Sequence, residues 1–157
     1  MIRTLLAASL LATALACSDS VVAPVAPSLD ADAAGRLLIG ADEARAAAFA
    51  AADPGPLRPL FGDAAIRAMV PQLSRLRRLS QRTEERGSVR RLVRWSGAGA
   101  GGEGVIETKG EQRLVTPSGD RPWARIVRQW RALIAWSGGR WLVDEAGDVP
   151  PSLWWKS

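Results

Sequence analysis

Acid–base and nucleophilic chemistry has few residues to work with in this chain. It contains no histidine and no tyrosine, and Cys17 is its only cysteine. The commonest general base and the usual transition-metal ligands are therefore missing, which leaves carboxylates. Asp144, Glu145 and Asp148 lie close together. A calcium loop needs oxygen ligands at tighter, regular spacing with a glycine in the turn, so these three read as solvated charges at a hairpin end. Glu84 and Glu85, flanked by Arg82 and Arg86, read as surface ion pairs. No catalytic residue, metal ligand or cofactor is expected.

Residues 97–102, Gly-Ala-Gly-Ala-Gly-Gly, match G-x-G-x-x-G letter for letter. A dinucleotide site needs a helix after that motif, so that its N-terminus meets the pyrophosphate. Here Gly104-Val105-Ile106-Glu107-Thr108 follows, which is strand-like, and the stretch reads as a hairpin loop. The aromatic residues are more telling: seven tryptophans, six of them between Trp123 and Trp155. One reading has Trp130, Trp136 and Trp141 packing a sheet against helices, each burying a large ring. The other has some of Trp95, Trp130, Trp136 and Trp141 lining an open pocket for a small hydrophobic or anionic ligand, with Arg94 or Arg128 as its polar partner. Trp154-Trp155-Lys156, after Pro150-Pro151, reads as a latch on the domain or an interfacial anchor.

These residues must be positioned by helices and then strands. Asp42 suits an N-cap, and the alanine-rich residues 42–52 form a helix stopped by Asp53-Pro54-Gly55-Pro56. A second helix opens at Asp63, with Ile66, Met69, Val70, Leu73, Leu76 and Leu79 as its apolar stripe and Pro71 as a kink or break. Arg67, Arg75, Arg78 and Arg82 lie opposite. From Ser88 the pattern turns to strand, with Val89, Val93 and Trp95 on one face and Arg90 and Arg94 on the other. A loop over 96–102 leads to residues 103–116, read as one long strand bulged near Gly110 or as two short strands. After the turn at 117–120, residues 123–136 fit both a strand and a helical stripe, and the strand is preferred. Ser137-Gly138-Gly139 then closes a hairpin with residues 140–145. Helices followed by about four antiparallel strands imply an α+β fold, with the helices on one face of a curved sheet.

The N-terminus gives an address. Met1-Ile2-Arg3 is basic, residues 4–16 are small or apolar, and Ala14-Leu15-Ala16 precede Cys17. That is the layout of a secretory signal, and a run of 13 residues is short of the about 20 a membrane-crossing helix needs. With its cysteine at the junction, the segment resembles the lipobox of bacterial lipoproteins. The resemblance implies that residues 1–16 are removed and that Cys17 is acylated as the first mature residue. Acylation also disposes of a lone thiol in an oxidising compartment. Ser18 in place of aspartate implies the outer membrane of a diderm envelope, facing the periplasm. Residues 17–35 are small, with Pro24 and Pro27 and no aromatics. They read as a lipid-anchored tether reaching roughly 60 Å when extended.

Residues 36–157 remain for one domain. Its order of elements, and the closing segment over 130–144 with Ser137-Gly138-Gly139-Arg140-Trp141-Leu142-Val143, resemble the NTF2-like (cystatin-related) superfamily. The resemblance implies a cone-shaped sheet around the helices. Charge is uneven: residues 18–63 carry a net −4 and residues 64–131 a net +9. The basic middle reads as a solvated face, and an exported domain excludes nucleic acid as its partner. The expectation is a membrane-anchored, non-enzymatic binding or scaffolding module, its oligomeric state open. The alternatives are a small-molecule or lipid-binding pocket of the same fold and, last, a hydrolase or isomerase using a lone Asp or Glu.

Overall fold

Asp30 starts the first helix: its carboxylate accepts a hydrogen bond from the Ala33 amide at 2.7 Å, satisfying one of the unpaired donors of the first turn. In the computed structural model, which describes residues 25–151, helix α1 spans Ala31–Ala51. Its buried positions Ala34, Leu38, Ala41 and Ala48 form one stripe. This corrects the sequence reading twice. The helix begins well before Asp42, which lies in its interior. The tether cannot extend to residue 35, because residues 31–35 are helical and Ala34 and Gly35 are buried. Small residues make that close approach possible: a Cβ on Gly35 would stand 3.6 Å from Leu92. Cys17 and the first part of the tether lie outside the described residues, as do Trp154, Trp155 and Lys156.

Ala52, in the left-handed region, ends α1, and Asp53 Oδ1 accepts from the Gly55 amide at 2.8 Å. A short 3₁₀ turn, Gly55–Leu57, carries the chain to helix α2, Asp63–Arg78. Asp63 in the first turn and Arg75, Arg77 and Arg78 in the last complement the helix dipole. Pro71 neither splits nor ends α2, although it cannot donate a backbone hydrogen bond there. Leu73 is the most deeply buried member of the expected stripe, while Val70 and Leu79 remain exposed.

The four strands are β1 (Arg82–Ala98), β2 (Gly101–Val115), β3 (Ala124–Ser137) and β4 (Arg140–Val149), an antiparallel sheet in the order β1-β2-β3-β4. The α+β arrangement expected from sequence is therefore present, and the ambiguous residues over 123–136 are strand. β1 starts at Arg82, not at residue 88. Its first residues lack apolar alternation but pair across to β2 by charge, Glu84 with Arg113 at 2.7 Å and Arg86 with Glu111 at 2.6 Å.

A further correction concerns which way β1 side chains face. The register shifts between Arg86 and Val89 and again between Leu92 and Arg94. Each bulge shifts the alternation. Arg90, opposite Thr108, therefore faces the helices, and Arg94, opposite Val105, faces away from them. Val89 and Trp95 likewise end on opposite faces. The bulge expected near Gly110 is there, but the extra residue belongs to β1, where Ser88 presses on the space a Gly110 side chain would fill.

The glycine-rich stretch has a packing role. The expected loop over 96–102 shrinks to a turn at Gly99-Ala100, with Gly99 at φ +60°. A Cβ on Gly97 or Gly102 would collide with the Trp95 indole, and one on Gly104 with Leu38. The glycines make a floor for an aromatic ring.

Between helices and sheet, Leu38, Phe61, Leu73, Ile106, Trp130, Ile134 and Val143 form the core. The Phe61 and Trp130 rings are 6.1 Å apart, and Trp136 meets Trp141 edge-on at 5.5 Å. The α1–α2 connection also covers part of the free edge of β4: the Gly62 amide donates to the Val143 carbonyl at 2.8 Å, and the Val143 amide to the Leu60 carbonyl at 2.9 Å.

Candidate functional site

Asp42 projects from the middle of α1 into the sheet and is fully buried. Its Oδ2 accepts from Arg90 Nε at 2.7 Å and from the Thr108 hydroxyl at 2.8 Å. Its Oδ1 accepts from Arg128 Nη2 at 3.2 Å, with Arg45 Nε 3.5 Å away. Glu85 closes the far side, bridging Arg90 at 2.9 Å and Arg128 at 2.8 Å. Asp148 holds Arg45 at 3.3 Å. Three carboxylates thus meet three guanidiniums, and the cluster is neutral.

Burial works against the Asp42 charge, but Arg128 first, then Arg45, Arg90 and Thr108, outweigh it and hold the carboxyl below its usual range. Burial likewise opposes the charge on Arg128, and Asp42 and Glu85 overcome it. Such a carboxylate is a poor proton donor, and its two oxygens are already occupied. Beside the cluster lies an open cavity of about 260 Å³, walled by Phe49, Gln72, Thr83 and Gln112 together with the paired charges.

The residues singled out as pocket lining do not converge. Arg128 stands at this cavity. Trp130 does not line it: the ring is 1% exposed, packed on Phe61 and covered by the Arg45 guanidinium 5.6 Å from its centroid. Trp136 and Trp141 pack on each other at the closing hairpin, and Trp95 lies on its glycine floor. Arg94 is on the opposite face of the sheet, paired with Glu103 at 2.7 Å.

Glu84 and Glu85 part company in the same way, being neighbours on a strand. Glu84 pairs on the outer face with Arg82 and Arg113, as expected, whereas Glu85 is withdrawn into the Asp42 cluster. Asp144, Glu145 and Asp148 are exposed. Among the described residues no group of acidic side chains is placed to hold a metal ion, and no helix is long and apolar enough to cross a membrane.

Sequence reasoning missed Asp42 as the hub, having placed it at a cap. The available signal was an arginine one helical turn later, Arg45, and Arg128, which interrupts the apolar alternation of Ile126, Trp130, Ala132 and Ile134 in β3. It also missed Trp123, whose ring centroid lies 4.3 Å from the Arg86 guanidinium and 4.8 Å from that of Arg113.

No family model matches the chain, and no curated protein matches it. Among solved structures, the intermembrane-space region of the chloroplast protein ARC6 is similar with a TM-score of 0.68 at 12% identity, over 78% of this chain and 98% of that one. An uncharacterised protein with a cystatin-like fold from Caulobacter vibrioides has a TM-score of 0.43 at 15% identity, over 75% and 91%. TsrD from Streptomyces laurentii has 0.42 at 16%, over 80% and 93%. At such identities the likeness to the ARC6 region is one of fold.

Proposed function

We propose that this chain is an extracytoplasmic lipoprotein, held in the cell envelope through an acylated Cys17, whose α+β domain acts as a non-enzymatic binding or scaffolding module. The observation that carries the second half is the closed interior. Trp130, Phe61 and Leu38 occupy the space between the layers where a ligand would sit in an open cone. The adjoining cavity has the Asp42 cluster as its wall, so a charged ligand there must break an ion pair. An enzyme working through a lone carboxylate fits poorly with Asp42, which is held ionised and fully hydrogen-bonded.

A photo-crosslinking amino acid placed at exposed Val127 on the sheet, and separately at Arg67 on α2, tests this in intact cells. The expected result is one discrete adduct from at least one face, diminished when Cys17→Ser releases the anchor. No adduct from either face sinks the scaffolding half; an undiminished adduct in Cys17→Ser sinks the requirement for anchoring.

A further inference from the structure

The face of the sheet turned away from α1 carries a groove of about 370 Å³. We propose that this groove binds a single-chain amphiphile with one anionic head, a fatty-acid carboxylate or an alkyl phosphate. The inference stands independently of the scaffolding reading.

Four charged residues line the groove, and of these Asp148 is paired with Arg45 while Arg94 and Arg131 offer guanidiniums beside an apolar floor. Val105 is 1% exposed although it faces away from the helices, and with Leu133, Val149 and Pro150 it gives the groove an apolar floor and wall. Val105 lies between Arg94 and Arg131 in the register. These two guanidiniums share one carboxylate, Glu103. Arg94 pairs tightly with it at 2.7 Å, but Arg131 only approaches it at 3.6 Å, beyond hydrogen-bond reach. Arg131 makes no hydrogen bond among the described residues, and its side chain is half exposed. An anionic head placed there would give it a charge-assisted hydrogen bond in place of the long contact to Glu103.

The number of chains and of heads follows from the same walls. Gly147 sits opposite Arg131, and a Cβ built on it would meet nothing within 4 Å. The missing side chain leaves that part of the groove open. Its volume is at the low end of the about 300–1,000 Å³ typical of ligand pockets, enough for one chain and not a two-chain lipid. Glu145, opposite Leu133, bounds the groove with a negative charge and disfavours a second anionic group.

The full chain carrying Cys17→Ser, so that no acyl group of its own competes, is titrated with octanoate, decanoate, decyl phosphate and neutral decanol by displacement of a fluorescent fatty-acid probe. Affinity should rise by up to about fourfold per added methylene. Decanol should bind at least about tenfold more weakly than either ten-carbon anion, a preference that Arg131→Gln removes. Gly147→Ile, whose Cβ would meet nothing within 4 Å, should abolish binding without lowering the melting temperature. A tighter fit for decyl phosphate assigns the head to lipid phosphate, and a tighter fit for decanoate to free fatty acid. The proposal is overturned if decanol binds as well as decanoate or if binding survives Gly147→Ile. It is equally overturned if binding appears only after removal of residues 152–157, which would give the groove to the chain's own Leu153, Trp154 and Trp155.

Discussion

Asp42 ties α1 to three strands of the sheet through side chains alone, and its chemistry sets two expectations. A buried ion pair is costly to form, but removing one partner strands the others without compensation, typically at about 3–5 kcal/mol. Asp42→Asn leaves Arg45, Arg90 and Arg128 facing a neutral amide and should destabilise the fold by about that amount in urea melts at neutral pH. The pH dependence has a definite sign. The Asp42 carboxyl is held low in the fold, against about 3.9 in the unfolded chain. Its contribution is therefore present above about pH 4 and is lost as pH falls through the folded value. Wild type should lose stability on acidification below about pH 4, and Asp42→Asn should respond less steeply. Some slope will persist, because Arg113 and Arg82 hold Glu84 low, and Arg91 and Lys109 hold Glu107 low. Equal slopes in the two proteins would show that Asp42 is not ionised in the cluster.

At the scale of elements, the places where sequence and structure part are those where tertiary packing changes the meaning of a local pattern. The strand over 124–137 was only half legible: Trp130, Ala132 and Ile134 alternate toward the core, but Ile126, Val127, Trp130, Leu133 and Ile134 also make a helical stripe. The faces of β1 were not legible, because two bulges reverse the alternation and nothing in a single strand's sequence marks where its partner omits a residue. Its first residues are equally hidden: Arg82 reads as part of the polar face of α2, and Glu84 and Arg86 as surface ion pairs, until Arg113 and Glu111 stand across from them. The glycine stretch lacks the helix a dinucleotide needs, yet its purpose appears only with Trp95 laid over it. Gly102→Ala should therefore cost about 1–3 kcal/mol by overpacking and shift the Trp95 emission. A neutral substitution would mean that the ring does not rest there. Ser80, just beyond α2, is exposed and has a φ of +49°, a conformation that costs a non-glycine residue about 1–2 kcal/mol. Ser80→Gly should recover part of that strain and raise the melting temperature, whereas a lower one would show that glycine's extra freedom in the unfolded chain outweighs it.

Across the whole molecule, many arginines of the basic middle are paired within the fold, although its net positive charge remains. Arg90 and Arg128 turn inward to Asp42 and Glu85, while Arg86, Arg91 and Arg113 pair with glutamates of the sheet's outer face. Counting charges along the chain could not show this, because each pairing depends on register. The same interdependence fixes where the domain begins. Read alone, residues 17–35 have the composition of a tether; in the fold, Leu29 packs on the core and Asp30 caps a helix whose first turns are covered by the sheet. Limited proteolysis of the soluble Cys17→Ser chain should therefore trim back to about residue 29 and stop, since a protease needs an extended backbone that α1 does not offer. Mass spectrometry of the resistant fragment reads the boundary directly. Cleavage at residues 31–35 would mean that the first turns of α1 open readily and that the tether reaches as far as composition implied. Palmitate-analogue labelling of the unmodified chain completes the test at the other end. Label that is present in the wild type, absent in Cys17→Ser, and separable from the resistant fragment by the same protease would place the lipid on the tether and the fold beyond it; label retained in Cys17→Ser would remove the anchor from the reading altogether.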